Sequence, residues 1–212
     1  MAGMTNVALP EDRVHSRCGR LLAVQHAVAE ITGGHKNSTD PESMRDAVLS
    51  VRSIIGEIPN SYACFIGGVA VQEHGRVRFT DNVDVVADST HYEQFRSMLV
   101  RNGFAEIDDC VLRKGKCGVL LKLFSEGRRW LERCNLFPHP SLLGQNGDFA
   151  TVAGIIRLKL DGARRMSHEA DIVELLKLRI DESDAIALQL PVSLQSQYAQ
   201  LVVQARRELG NS

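Results

Sequence analysis

The sequence lacks most of the features that assign a chain quickly. Its five cysteines, Cys18, Cys64, Cys110, Cys117 and Cys134, form no C-x-x-C pair and are odd in number. That argues against a zinc knuckle and a disulfide framework, and for a reducing compartment. The seven histidines include no H-x-x-x-H pair that would place two ligands on one helix face. Neither sign of charge dominates: 25 Lys and Arg stand against 26 Asp and Glu, a formal net charge of −1. There is thus no global field for nucleic acid or an anionic membrane, and a polyanion has to be met by a local patch. No apolar run reaches membrane-spanning length, and the first residues lack a basic-then-apolar signal pattern. The expectation is a cytoplasmic protein with no membrane partner. Internal repeats and low-complexity segments are also missing.

What is present is ordinary globular material: 212 residues, 44% hydrophobic and 24% charged, enough to bury a substantial core. Val14, Cys18, Leu21, Gln25 and Val28 recur at helical spacing from Arg13 to Ile31, and Gly33-Gly34 ends that pattern. Thr39 and Glu42 have capping-box spacing with Pro41 in the first turn. Met44, Ala47, Val48, Val51, Ile54, Ile55 and Ile58 then form one apolar stripe, read as core or as a partner surface. A buried strand follows at 62–66, a short helix at 69–74, and a second strand at 83–87. Thr90-x-x-Glu93 predicts a capped helix that stops at Asn102-Gly103. Strands are expected over 104–112 and 117–124, joined by a basic hairpin turn at Arg113-Lys114-Gly115-Lys116. Residues 131–150 read as a long connecting loop, and helices are expected over 152–163, 169–180, 184–190 and 192–209.

The fold class predicted is α/β (α+β): a small mixed sheet of four to five strands flanked by helices, followed by a helical C-terminal region. Three parts are expected. Residues 1–59 hold N-terminal helices packing on the core, 60–130 hold the αβ core, and 131–212 hold a linker and the helical region.

The stretch from Tyr62 to Asp88 carries the chemistry. A Gly67-Gly68 pair after a strand and before a helix lets backbone N–H groups approach phosphates with no side chain in the way. On the next strand, Asn82 and Asp84 are two residues apart and point to one face. An acid in the apolar run around Val83, Val85 and Val86 has to face a cleft or meet a cation. Arg76 reads as a surface charge, His74 as a helix-end residue and His168 as a loop residue beside a helix start. Lys159 and Asp171 both suit their helix ends through the dipole, Asp171 in the first turn of its helix.

Gly67-Gly68, Ala70, Gly75, Arg78, Thr80, Asn82, Val83 and Asp84 together resemble the N-terminal signature of the nucleotidyltransferase superfamily, with its DNA polymerase beta-like fold. Within it, the chain is most similar to minimal bacterial nucleotidyltransferases and abortive-infection toxin-type enzymes. A weaker echo lies in Lys159, Arg164-Arg165 and Asp171. The resemblance spans roughly 60–205. It implies a nucleoside triphosphate ligand held by Gly67, Gly68, Arg78, Thr80, Lys159 and Asp171, and Mg²⁺ held by strand carboxylates beside it. Two divalent ions about 3.5–4 Å apart would stabilise the attacking and leaving oxygens, and magnesium wants hard oxygen ligands.

The sequence departs from that signature where the metal would sit. Asn82 stands at the first acid position, and Lys122 at the expected position of a third acid, in a strand that reads CGVLLKLF. Only Asp84 remains. Asp81 is adjacent, but strand alternation turns it to the other face unless the strand starts later or carries a bulge. The leading expectation is a nucleotidyltransferase-fold protein that binds nucleotide or RNA phosphates with its metal chemistry impaired. The alternatives are an active enzyme, with Asp84, Asn82 and Asp81 in a remodelled metal site and a hydroxyl acceptor, and a non-catalytic scaffold. Partners expected are a nucleotide, RNA or a cognate protein, and a second copy of the chain.

Overall fold

The structure is a computed structural model that describes residues 41–114, 118–129, 135–162 and 166–210. The predicted helix over 13–31, the Thr39 cap, Cys117, Arg164 and Arg165 lie outside the described residues, as does the tip of the basic hairpin.

Helix α1 (Pro41–Glu57) starts at the proline placed in its first turn. Every residue of its apolar stripe from Met44 to Ile58 is at most 3% exposed, so the stripe is core. It lies against β2 (Asn82–Ala87) and β5 (Val119–Ser125), as well as α3 (Tyr92–Arg101). The other strands are β1 (Ala63–Ile66), β3 (Phe104–Asp108) and β4 (Val111–Lys114). Together they make one mixed five-stranded sheet in the order β1-β2-β5-β4-β3. Only β2 and β5 run parallel; the other neighbours are antiparallel. The helical region follows as α4 (Val152–Asp161), α5 (Met166–Leu178), α6 (Ser183–Gln189) and α7 (Val192–Gly210). The mixed sheet with a helical C-terminal region is the architecture predicted.

Three local expectations are corrected. The predicted strand over 104–112 is two strands, because Asp109 N–H donates to the Asp108 carboxylate (2.7 Å) and the chain reverses at Asp109-Cys110. Such short-range Asp bonds compete with a sheet ladder. Thr90 does not cap α3. Asp88 Oδ1 instead accepts the His91 N–H (2.9 Å) and meets His91 Nδ1 (2.7 Å), while Asp88 Oδ2 accepts the Tyr62 N–H (2.6 Å). These bonds hold the Asp88 carboxyl below the usual range against the cost of its burial. The short helix α2 (Gly67–Glu73) begins at Gly67, two residues earlier than expected.

The connection before α4 is more than a tether. Asp148 O accepts from Phe65 N–H (2.9 Å) and Phe65 O accepts from Ala150 N–H (2.8 Å), which extends the free edge of β1. Arg52 of α1 pins this segment: its Nε donates to Gly147 O (2.8 Å), and its guanidinium sits 5.3 Å from the Phe149 ring and 3.5 Å from Asp148 Oδ1. All four residues of β1 are therefore buried. The segment also closes on α4, where Leu143 O would lie 2.2 Å from a Cβ on Gly154. Helix propensity alone favours alanine over glycine by about 1 kcal/mol. Gly154→Ala is expected to destabilise the protein in spite of that preference, read as a lower midpoint in urea unfolding at unchanged slope.

Candidate functional site

Alternation along two neighbouring strands builds the site. In β2 and β5 the odd-numbered Val83, Val85, Leu121 and Leu123 are buried in the core. The even-numbered Asn82, Asp84, Lys122 and Phe124 share the other face and line a cleft of about 290 Å³. That volume is near the lower bound for small-molecule sites. The parallel register sets Asp84 directly across from Lys122.

Asp84 is held from two sides. Its Oδ1 accepts a hydrogen bond from Asn82 Nδ2. Its Oδ2 lies over Gly67, where a Cβ would come within 2.0 Å of it and where φ is +68°. Gly67 is thus required twice, by the left-handed backbone and by the carboxylate above it. The neighbouring Gly68 is buried and faces Thr80, whose Oγ1 would be 2.3 Å from a Cβ there. Of the pair, only Gly67 lines the cleft. Thr80 is 6% exposed and donates to Asn82 O (3.3 Å), which sets the entry to β2. Asp81 is exposed, precedes the first strand residue, Asn82, and does not line the cleft, although its charge acts on Asp84.

Burial pushes the Asp84 carboxyl up to about 6; Lys122, Asn82 and Arg78 oppose the shift and Asp81 adds to it. A raised folded-state pKa stabilises the fold below the unfolded value of about 4, and this contribution is lost as pH rises through about 6. Asp84→Asn is therefore expected to gain stability relative to the wild type between about pH 4 and pH 7, by up to roughly 3 kcal/mol, and to stay level above that. Paired urea titrations across this range read the difference.

A second cluster flanks the cleft. The Asp171 side chain, 3% exposed, receives Arg76 Nε at 2.9 Å, Lys159 Nζ at 2.7 Å and Arg78 Nη1. Arg76 also donates to Ala170 O, and Gln72 Nε2 donates to Arg78 O (2.6 Å). Three cations against one carboxylate leave a local formal charge of +2. Burial pushes the Lys159 ammonium down, Asp171 opposes this, and Arg78 and Arg76 add to it.

Several expectations change here. Arg76 is a member of this cluster and not an ordinary surface charge. Arg78 and Asp171 are tied to each other and, unlike Lys159, do not line the cleft. Since α5 starts at Met166, Asp171 lies in its second turn, and Glu169 is the acid of its first turn. Helix-dipole compensation is therefore not its role. His168 belongs to α5 and lines the cleft, whereas His74 ends α2 and bonds Ala150 O (2.8 Å). Residues 135–138 form another wall that no sequence pattern indicated. Phe137 stacks on Phe124 with ring centroids 4.6 Å apart. Phe124 itself was legible as the residue two beyond Lys122 on the same strand face. Removing the shared anion, Asp171→Ala, would strand three partly buried cations and is expected to cost about 3–5 kcal/mol, measured by chemical denaturation.

The metal implied by the family resemblance fits these residues poorly. The groups at its place are one amide, one carboxylate and one ammonium, and the ammonium has no lone pair to give a metal ion. Magnesium needs oxygen ligands and at least one or two carboxylates, and a two-ion site needs bridging acids. Among the described residues, no group of three or more His, Cys, Asp or Glu could hold a metal ion. No described helix is long and apolar enough to cross a membrane.

No protein-family model matches the chain, and no curated protein matches it. Among solved structures, it is similar to the solution structure of the antibiotic-resistance factor ANT(2'')-Ia, for which substrate-regulated conformation dynamics are described. The two are 15% identical with a TM-score of 0.44, over 78% of this chain and 98% of the other. A likeness that distant carries no functional argument.

Proposed function

We propose that the chain is a nucleotidyltransferase-fold protein that binds a nucleotide in the cleft between β2, β5 and α4, and that two-metal nucleotidyl transfer is impaired. The observation that carries this reading is Asp84, closed against Gly67 at the end of β1 and set across from Lys122 on β5. The strand, Gly-Gly turn, short helix and acid-bearing strand on which the family resemblance rests occur in that order around one cleft. A single acid survives at the point where the family's transfer chemistry needs three.

The ligand follows from the lining. Lys122 and Lys159 line the cleft together with Asp84 and Asp161, and the Arg76, Arg78 and Asp171 cluster next to Lys159 tips this balance to the net positive charge that suits a phosphate. The stacked Phe124 and Phe137 provide an apolar wall suited to a ring. In this reading Gly67 makes room for the Asp84 carboxylate in the cleft floor, while Gly68, Thr80, Arg78 and Asp171 shape the site from behind. A phosphate-bearing RNA end would meet the same groups.

Incubation with labelled nucleoside triphosphates, Mg²⁺ or Mn²⁺ and mixed RNA, protein and small-molecule acceptors tests the reading. Binding without label transfer is the expected result. Transfer that disappears in Asp84→Ala would instead establish an active enzyme. Neither binding nor transfer would leave the fold as an interaction scaffold.

A further inference from the structure

We propose that Asp161, held in place by Asn135, determines which sugar the cleft accepts: its carboxylate takes hydrogen bonds from ribose hydroxyls, so ribonucleotides bind in preference to deoxyribonucleotides. This rests on the nucleotide reading above and specifies the class of nucleotide.

Asp161 is the last residue of α4, and it lines the cleft. The helix dipole opposes an acid there, since the C-terminal end favours cations. The helix therefore gains nothing from Asp161 by its position. Its ion pair is weak as well, because Arg157 Nε stands 3.9 Å from Oδ2, beyond hydrogen-bond distance. One directed contact remains. Asn135 Nδ2 donates to Oδ1 over 3.1 Å, which fixes the carboxylate against the wall of residues 135–138. A carboxylate accepts at about four lone-pair sites and has no proton to give. With its side chain 26% exposed, Asp161 keeps acceptor sites that a ligand in the cleft can reach.

The surrounding groups decide what the ligand presents to it. Lys159 and Asp161 are two residues apart on one helix, about 200° around its axis. Each is tied to a different element, Lys159 to Asp171 of α5 and Asp161 to Asn135. The end of α4 thus separates a positive side of the cleft, suited to phosphate, from an accepting side. On the accepting side, Asn135 stands two residues before Phe137, at most about 7 Å along the chain. Two backbone bonds set Phe137: Gly127 N–H donates to Phe137 O (2.9 Å), and Phe137 N–H donates to Arg128 O (3.0 Å). Its ring stacks on Phe124. Asp161 therefore lies between the aromatic wall and the cationic flank. A nucleotide carries its sugar between its ring and its phosphates, and that sugar offers neutral hydroxyl donors. An acceptor-only group between a ring wall and a positive flank matches this order, whereas a phosphate at Asp161 would meet like charge.

Calorimetric titration of the whole chain with ATP, GTP, CTP and UTP, and with the 2′-deoxy and 3′-deoxy form of each, tests the inference. For a nucleotide that binds, loss of at least one hydroxyl is expected to weaken affinity roughly tenfold or more, as for a hydrogen bond to a charged group. Asp161→Ala should bring the ribo and deoxy forms within about threefold of each other, by weakening the ribo form and leaving the deoxy form nearly unchanged. Asp161→Asn, which keeps the shape and loses the charge, should fall between the two. Thermal melts of each variant separate loss of binding from loss of folding. Equal affinity for ribo and deoxy forms in the wild type, or a folded Asp161 variant that weakens both alike, overturns this inference and leaves the nucleotide reading standing. An absence of binding by every nucleotide removes the nucleotide reading and this one with it.

Discussion

The arrangement depends first on one buried carboxylate. Asp171 is almost wholly out of water and would be untenable as a lone charge, so it gathers Arg76, Arg78 and Lys159 around it. Two of those cations come from the loop between α2 and β2, and the third comes from α4. The clamp therefore joins the αβ core to the helical region. It also fixes the loop that carries Thr80 over Gly68, and with it the entry of β2. The position of Asp84 in the cleft is set from there.

Within the cleft the charges have separate duties. Asp84 and Lys122 stand across from each other in the β2–β5 ladder and Asp161 lines the same cleft, while the Asp171 cluster gives the flank an excess of positive charge. The stacked phenylalanines line the same cleft. In the proposed reading such a site takes an anionic ligand with a ring, and Asp84, closed against Gly67, is poorly placed to share a metal.

Parts of this were legible because they depend on local periodicity. The stripe from Met44 to Ile58, the alternation in β2 and β5, and the glycine pair after a short apolar strand each report on neighbours a few residues away. The face shared by Asp84 and Lys122 could be inferred because strand alternation turns two known positions into one surface. Other parts had no local signal. Asp88 displaced Thr90 as the acceptor at α3 because Tyr62 and His91 both needed its oxygens. Phe137 and His168 belong to segments whose polarity suggests loop or helix end, and only their packing brings them to the cleft. Arg76 resembled a surface charge because the acid that collects it, Asp171, lies more than ninety residues away.

The opening of the cleft at Gly67, the acid at Asp84, the missing acids at Asn82 and Lys122, and the mixed sheet were determined by the sequence alone, since each follows from residue type and spacing. Tertiary structure decided which charges answer one another. Lys159, Arg76 and Arg78 could each have met solvent, a phosphate or a helix dipole, and one-dimensional spacing treats these fates alike. Burial of Asp171 removes that freedom, because a carboxylate stripped of water demands every cation within reach.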